Sequence, residues 1–198
     1  MVARTTLFST PYQARKRMRM SPSPAMLVAA KRALRDTSEF KFKNTEGPFF
    51  NEDTNGVNTE LSSIAQGVDV DDRIGNRITM TRLDVQLFAE DTAGFRVIIY
   101  IPKQADANLP NTTGFNTGTD SSRFWILHDQ VYGIPTSATT SQVAVNLKIN
   151  KTLKMYYTNS TATSYEKNPI KLYCTTNRNG AGLGSVINGH TKLWYKDM

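Results

Sequence analysis

Asp69, Asp71 and Asp72 place three carboxylates within four positions, the densest group of hard oxygen donors in the sequence. Donors of that kind suit Ca²⁺, so a cation held at a subunit contact is one reading of them. The plainer reading, and the expectation, is a solvated acidic turn balanced by Arg73 or Arg77. Catalysis would need a nucleophile beside a base, or a cluster of metal ligands, and the material is thin: two histidines, His128 and His190, and one cysteine, Cys174. His128 next to Asp129 makes no dyad within a strand, because successive side chains point to opposite faces. Gly180-Ala181-Gly182-Leu183-Gly184 lacks the lysine and the following helix of a phosphate-binding loop. The protein is therefore expected not to be an enzyme, with no catalytic residue, no metal and no cofactor.

The strongest chemical signal is basic. The net charge is +7, and its distribution matters more than its size. Residues 1–43 carry ten Lys/Arg against Asp36 and Glu39, a net of +8, whereas the rest carries fourteen against fifteen, a net of −1. An anionic partner is thus addressed by one segment in front of a nearly neutral body. Arg4, Arg15, Lys16, Arg17, Arg19, Lys31, Arg32 and Arg35 are the candidate nucleic-acid contacts. The segment has no Cys/His zinc spacing and no recognition-helix or stacking motif, which leaves phosphate neutralisation without base readout. The run Arg15-Lys16-Arg17-Met18-Arg19 would also serve nuclear import, so a nuclear import factor is a second expected partner.

Two kinds of element must position these groups. Ser23 can cap a short helix that starts at Pro24, runs through Met26, Leu27 and Ala29, and sets Lys31, Arg32 and Arg35 near its C-terminal end. At that length it is marginal alone and is expected to order on nucleic acid or a neighbour. From about Val57 the chain turns to short runs rich in Val, Ile, Thr, Tyr and Phe, parted by Gly, Asn, Pro, Ser and Thr. Eight strands are expected: 58–66, 77–89, 95–102, 124–132, 142–150, 153–158, 169–176 and 191–196. Val143, Val145, Leu147 and Ile149 share one face, as do Ile170, Leu172 and Cys174, where the thiol stands as a small buried hydrophobe.

In the second strand Ile78 and Met80 keep one phase and Leu83, Val85 and Leu87 the other, which predicts a β-bulge near Arg82. Residues 95–101 are apolar on both phases, as suits a strand covered by the core and by a neighbour. Eight such strands with little helix predict an all-β fold, an eight-stranded antiparallel jelly-roll sandwich, because the Cys…Trp…Cys spacing of immunoglobulin domains is absent.

With 198 residues, the chain has room for one such domain and an appendage: an arm over 1–43 and a body over 44–198. No apolar run approaches the roughly 20 residues that span a bilayer, so no membrane is expected. One cysteine and a first twenty residues without an apolar core suggest a reducing compartment rather than secretion. A secreted trimeric ligand or lectin on the same fold should show a leader and disulfides, and a cupin-type enzyme needs clustered His and Glu.

Gly67 followed by Arg73-Ile74-Gly75-Asn76-Arg77-Ile78 and an alternating strand resembles the early G…R-I-G-x-x-I stretch in capsid proteins of circovirus-like small circular single-stranded DNA viruses. Arg123 to Asp129, an R-x-x-x-x-x-D run, and the closing stretch Gly189-His190-Thr191-Lys192-Leu193-Trp194-Tyr195-Lys196-Asp197 extend the similarity from about Asn58 to the C-terminus. The resemblance implies a jelly-roll subunit of a small icosahedral shell of T=1 type around circular single-stranded DNA, the arm inside, with a virion location, assembly in the host nucleus and a host receptor as a further partner. The long polyarginine arm of the best-known members is missing here. Satellite plant viruses, which enclose single-stranded RNA in jelly-roll shells with short basic arms, share the architecture. At about 60 copies, a segment charge of +8 would neutralise roughly 480 phosphates.

Overall fold

The computed structural model describes residues 23–27, 29, 40–51, 56–69, 71–90, 94–104, 107–110, 113, 118–133, 143–159, 165–176 and 186–198. Among them eleven strands follow in order: β1 (Phe40–Glu46), β2 (Phe50–Asn51), β3 (Val57–Glu60), β4 (Arg77–Glu90), β5 (Gly94–Pro102), β6 (Phe124–Gly133), β7 (Val143–Ile149), β8 (Leu153–Tyr157), β9 (Tyr165–Lys167), β10 (Lys171–Thr176) and β11 (Val186–Asp197). They form two antiparallel sheets. One has seven strands in the order β1-β11-β4-β8-β9, with β2 beside β11 and β7 beside β4; the other has four in the order β3-β10-β5-β6.

The phase change in β4 is real. Ile78 and Met80 are fully buried, and beyond Arg82 the buried set is Leu83, Val85, Leu87 and Ala89. A strand changes its buried face only by taking up an extra residue. Thr81 is that residue: Trp194 lies opposite Arg82, and the next residue, Tyr195, lies opposite Met80. The bulge also breaks the neighbouring edge. β7 runs opposite Leu83–Ala89 and β8 opposite Arg77–Met80, both in the same direction, so the two expected strands are one line interrupted at residues 150–152.

Three strands were not expected: β1, β2 and β9. β1 pairs with β11 from Phe40↔Lys196 to Glu46↔His190, and the backbone N–H groups of Gly47 and Phe49 bond to the carbonyls of Gly189 and Ile187, so residues 40–51 track most of β11. β1 thus begins three residues before the expected boundary at residue 43. The body forms a compact unit from Ser38, and Lys41 and Lys43 belong to its first strand. Residues 1–37 then carry eight Lys/Arg against Asp36, a net of +7, and the body is neutral.

The expected strand 58–66 shortens to β3, since Leu61 and Ile64 enter the core from irregular chain instead. The closing strand starts at Val186, five residues before the expected Thr191. Its Gly189 has φ +153°, and a Cβ there would lie 2.0 Å from the Gln86 carbonyl oxygen, so only glycine lets β11 continue past β4.

Side chains of both sheets meet in one core, with Ile78, Met80, Leu83, Val85 and Leu193 from the larger sheet against Val97, Ile99, Leu172 and Cys174 from the smaller. Burial pushes the Cys174 thiol up to about 12, as befits a hydrophobe rather than a nucleophile. A second cluster lies on the other face of the small sheet, where Ile98, Tyr100, Phe124 and Tyr173 pack with Leu109. Among the described residues, Ala107 and Leu109 of the 103–123 connection thus supply a second cover over Ile98 and Tyr100. Before the body, residues 24–27 form a helical turn in which Ser23 Oγ accepts from the Met26 N–H at 3.2 Å, the expected N-cap. Its expected continuation to Arg35 lies outside the described residues.

Candidate nucleic-acid interface

Arg4, Arg15, Lys16, Arg17, Arg19, Lys31, Arg32 and Arg35, the contacts expected from the sequence, all lie outside the described residues. Lys41 and Lys43, counted with them in the arm's charge, have other work. Lys41 pairs with Asp197 at 3.2 Å and donates to the Asp72 carbonyl at 2.8 Å, and Lys43 pairs with Asp71 at 2.9 Å. Within the acidic turn the Asp71 carboxylate is thus paired from β1. The Lys43 bond and charge hold Asp71 below its ordinary carboxylate pKa. Among the described residues no group of His, Cys, Asp and Glu has the arrangement of a metal site.

Arg73, the arginine of the R-I-G stretch, is fully buried. Its Nε donates to the Ile64 carbonyl at 3.0 Å, its other nitrogens reach Gly75, Asn76 and Asn159, and its guanidinium lies 4.0 Å from the Tyr157 ring centroid. Burial lowers its pKa, but carbonyl acceptors and a tyrosine face satisfy the cation without contact to solvent. The part of the sequence most like a family signature therefore pins residues 61–76 to the end of β8. Asp129, which closes the R-x-x-x-x-x-D run, takes a two-pronged bond from the buried Arg96 at 2.8 Å on each prong. Burial lowers the pKa of His128, whose Nε2 lies 2.8 Å from the Tyr132 hydroxyl. These are structural roles.

The outer face of the large sheet is different. The register puts Phe40 and Phe42 of β1 opposite Lys196 and Trp194 of β11, and Trp194 and Lys192 opposite Arg82 and Asp84 of β4. Beyond β4 the same face carries Lys148, Lys154 and Tyr156, which pairs with Arg77. Among the described side chains that the register sets on this face, Arg77, Arg82, Lys148, Lys154, Lys192 and Lys196 stand against Glu46 and Asp84, an excess of positive charge on a neutral body. Lys192 Nζ lies 3.8 Å from the centroid of the Phe42 ring and 4.3 Å from that of Trp194; Lys196 Nζ lies 4.1 Å from that of Phe40. Neither ammonium has an ion-pair partner among the described residues.

Asp84 fixes this cluster. It accepts from Arg82 Nε at 2.7 Å and from the Trp194 indole N–H at 3.1 Å. Burial opposes its charge, yet those two bonds, with the charges of Arg82 and Lys148, together outweigh burial and hold its pKa below the ordinary value. Beside Lys192 a concavity of about 580 Å³ is lined by Asn44, Glu46, Gly47, Asn188, Gly189 and His190 as well.

An exposed cation–π contact is worth about 0.5–1 kcal/mol. A nucleobase stacked on an aromatic side chain is worth about 1–3 kcal/mol. A base can therefore displace a lysine from its ring, and the freed ammonium has a phosphate to meet. The signal was present in the sequence as two alternations, Phe40-Lys41-Phe42-Lys43 and Lys192-Leu193-Trp194-Tyr195-Lys196, but only the pairing of β1 with β11 sets the rings of one beside the lysines of the other. No family model matches this sequence, and no curated protein matches it either.

Proposed function

We propose that the chain is the coat protein of a small icosahedral virus, a jelly-roll sandwich that assembles with its own copies and packages single-stranded nucleic acid, DNA on the strength of the sequence resemblance. The observation that carries the reading is the strand order. With β7 and β8 counted as one interrupted strand, and β2 and β9 as short additions, the eight strands fall into sheets ordered 1-8-3-6 and 2-7-4-5. That order supports the jelly-roll reading, and small viral coat domains are commonly built on that fold.

Fold alone does not assign function. The second support is the segregation of charge: +7 over residues 1–37, none net over the body. About 60 copies then offer roughly 420 neutralising charges, which act by releasing counterions and need no sequence preference. Electron microscopy of the purified full chain tests the reading. Closed particles of uniform diameter containing nucleic acid are expected. A monomer or small oligomer under every salt and pH condition tried would overturn it. Replacing Arg15, Lys16, Arg17 and Arg19 by Ala should lower the 260/280 nm absorbance ratio of the particles and leave the body folded.

A further inference from the structure

We propose that the outer face of the large sheet is a second contact for the packaged strand, with bases stacking on Phe42 and Trp194 and phosphates meeting Lys192 and Lys196; this rests on the coat-protein reading and orients the subunit, the large sheet inward. Charge selects the occupant. The body as a whole is neutral, yet this face gathers cations, and two of them, Lys192 and Lys196, lie over aromatic rings. A polyanion with flat, apolar bases satisfies both components at once, which neither a basic nor an apolar protein surface would do.

Availability points the same way. Around Ile98, Tyr100 and Tyr173 the outer face of the small sheet is covered by Ala107 and Leu109, whereas Phe40 on the large sheet is 58% exposed. Chain continuity adds a third argument: the basic segment joins the body at β1, whose first residue, Phe40, belongs to this face. The indole is already oriented by its bond to Asp84, so stacking requires the lysines to move and not the ring. Rotatable ammonium groups and ring faces fix no base identity, so binding here should tolerate any sequence.

The test is photocrosslinking of the full chain, assembled with single strands carrying iododeoxyuridine or iodouridine, followed by peptide mapping; the two strands distinguish a DNA cargo from an RNA one. Adducts are expected on the peptides that hold Phe42 and Trp194. In a Lys192→Ala/Lys196→Ala variant with an unchanged circular-dichroism spectrum, the Trp194 adduct should fall several-fold and the salt slope of binding should flatten by about 1.4 for two lost phosphate contacts. Adducts confined to residues 1–37, or to peptides of the small sheet, would overturn the inference and leave packaging by the arm intact. A chain that forms particles but binds neither strand would overturn the inference and the packaging reading together.

Discussion

On the outer face of the small sheet, Ile98, Tyr100 and Tyr173 stand beneath Leu109 and beside Phe124; on the outer face of the large sheet, the central strands β11 and β4 present Lys192, Trp194 and Asp84. Both faces arise from the same alternation along a strand. They differ in what each polar atom does. Under the 103–123 connection the tyrosine hydroxyls are tied down: Tyr100 accepts from the Leu109 N–H at 3.1 Å and donates to Asn58 at 2.7 Å, and Tyr173 donates to the Thr113 carbonyl at 2.6 Å. Burial pushes the Tyr100 hydroxyl up to about 12. A roofed face of this kind is stable because its polar groups have found partners. The open face keeps cations on rings, an arrangement that contributes little to folding and is easily exchanged for a ligand.

The difference is tested most severely by removing the roof. Leu109 is 2% exposed, and Leu109→Ala should cost about 2–5 kcal/mol through lost burial and a residual cavity, read as a lower urea midpoint. A loss below about 1 kcal/mol would mean that the connection merely lies on the sheet. Tyr100→Phe keeps the ring and deletes the hydroxyl, leaving the buried Leu109 N–H without its acceptor. It should cost about 1–3 kcal/mol with an unchanged denaturant slope.

How the sequence carried these two faces differs as well. Residues 95–101 announced a strand covered twice, because every one of them except Arg96 is apolar or aromatic; what covers them was not legible, since 103–123 has no periodicity and its few apolar residues, Leu109 among them, look like loop composition. The bulge was readable because the break in phase falls inside one long strand. β1 was missed because Phe40-Lys41-Phe42-Lys43 shows two lysines in four residues and follows a basic segment, so its charge read as arm. Only the partners Asp71 and Asp197, distant in sequence, show that Lys41 and Lys43 are structural. Arg73, expected to balance the acidic turn, instead reaches backbone carbonyls and the Tyr157 ring, acceptors that sequence spacing does not announce.

A pH titration sharpens the contrast through Asp84. Its folded carboxylate binds a proton less readily than the unfolded one, because Arg82 and Trp194 donate to the charged form. Its contribution is therefore complete above the unfolded carboxylate value of about 3.9 and is lost as pH falls through the lower folded value. Asp84→Asn should lower stability at pH 7, narrow the gap from wild type toward pH 3, and loosen the Trp194 ring, seen as a changed indole emission. A pH profile identical to that of wild type would remove Asp84 as the organiser of the open face.

The smallest expected effect is the most discriminating. Phe40 and Lys196 face each other at the end of the sheet, with the ring more than half exposed and the ammonium 4.1 Å from its centroid. Their contact is worth at most about 1 kcal/mol at such a site, and an exposed substitution usually moves stability by less than about 0.5 kcal/mol. Phe40→Ser and Lys196→Gln, alone and together, should therefore leave the urea midpoint nearly unchanged, and the double variant should add with a coupling below about 1 kcal/mol. Nucleic-acid binding by the same proteins should weaken, most in the double variant, because it loses a ring and a charge that the fold does not need. If instead stability falls by more than about 2 kcal/mol while binding holds, the open face is part of the scaffold, and the two faces of this protein differ in composition but not in purpose.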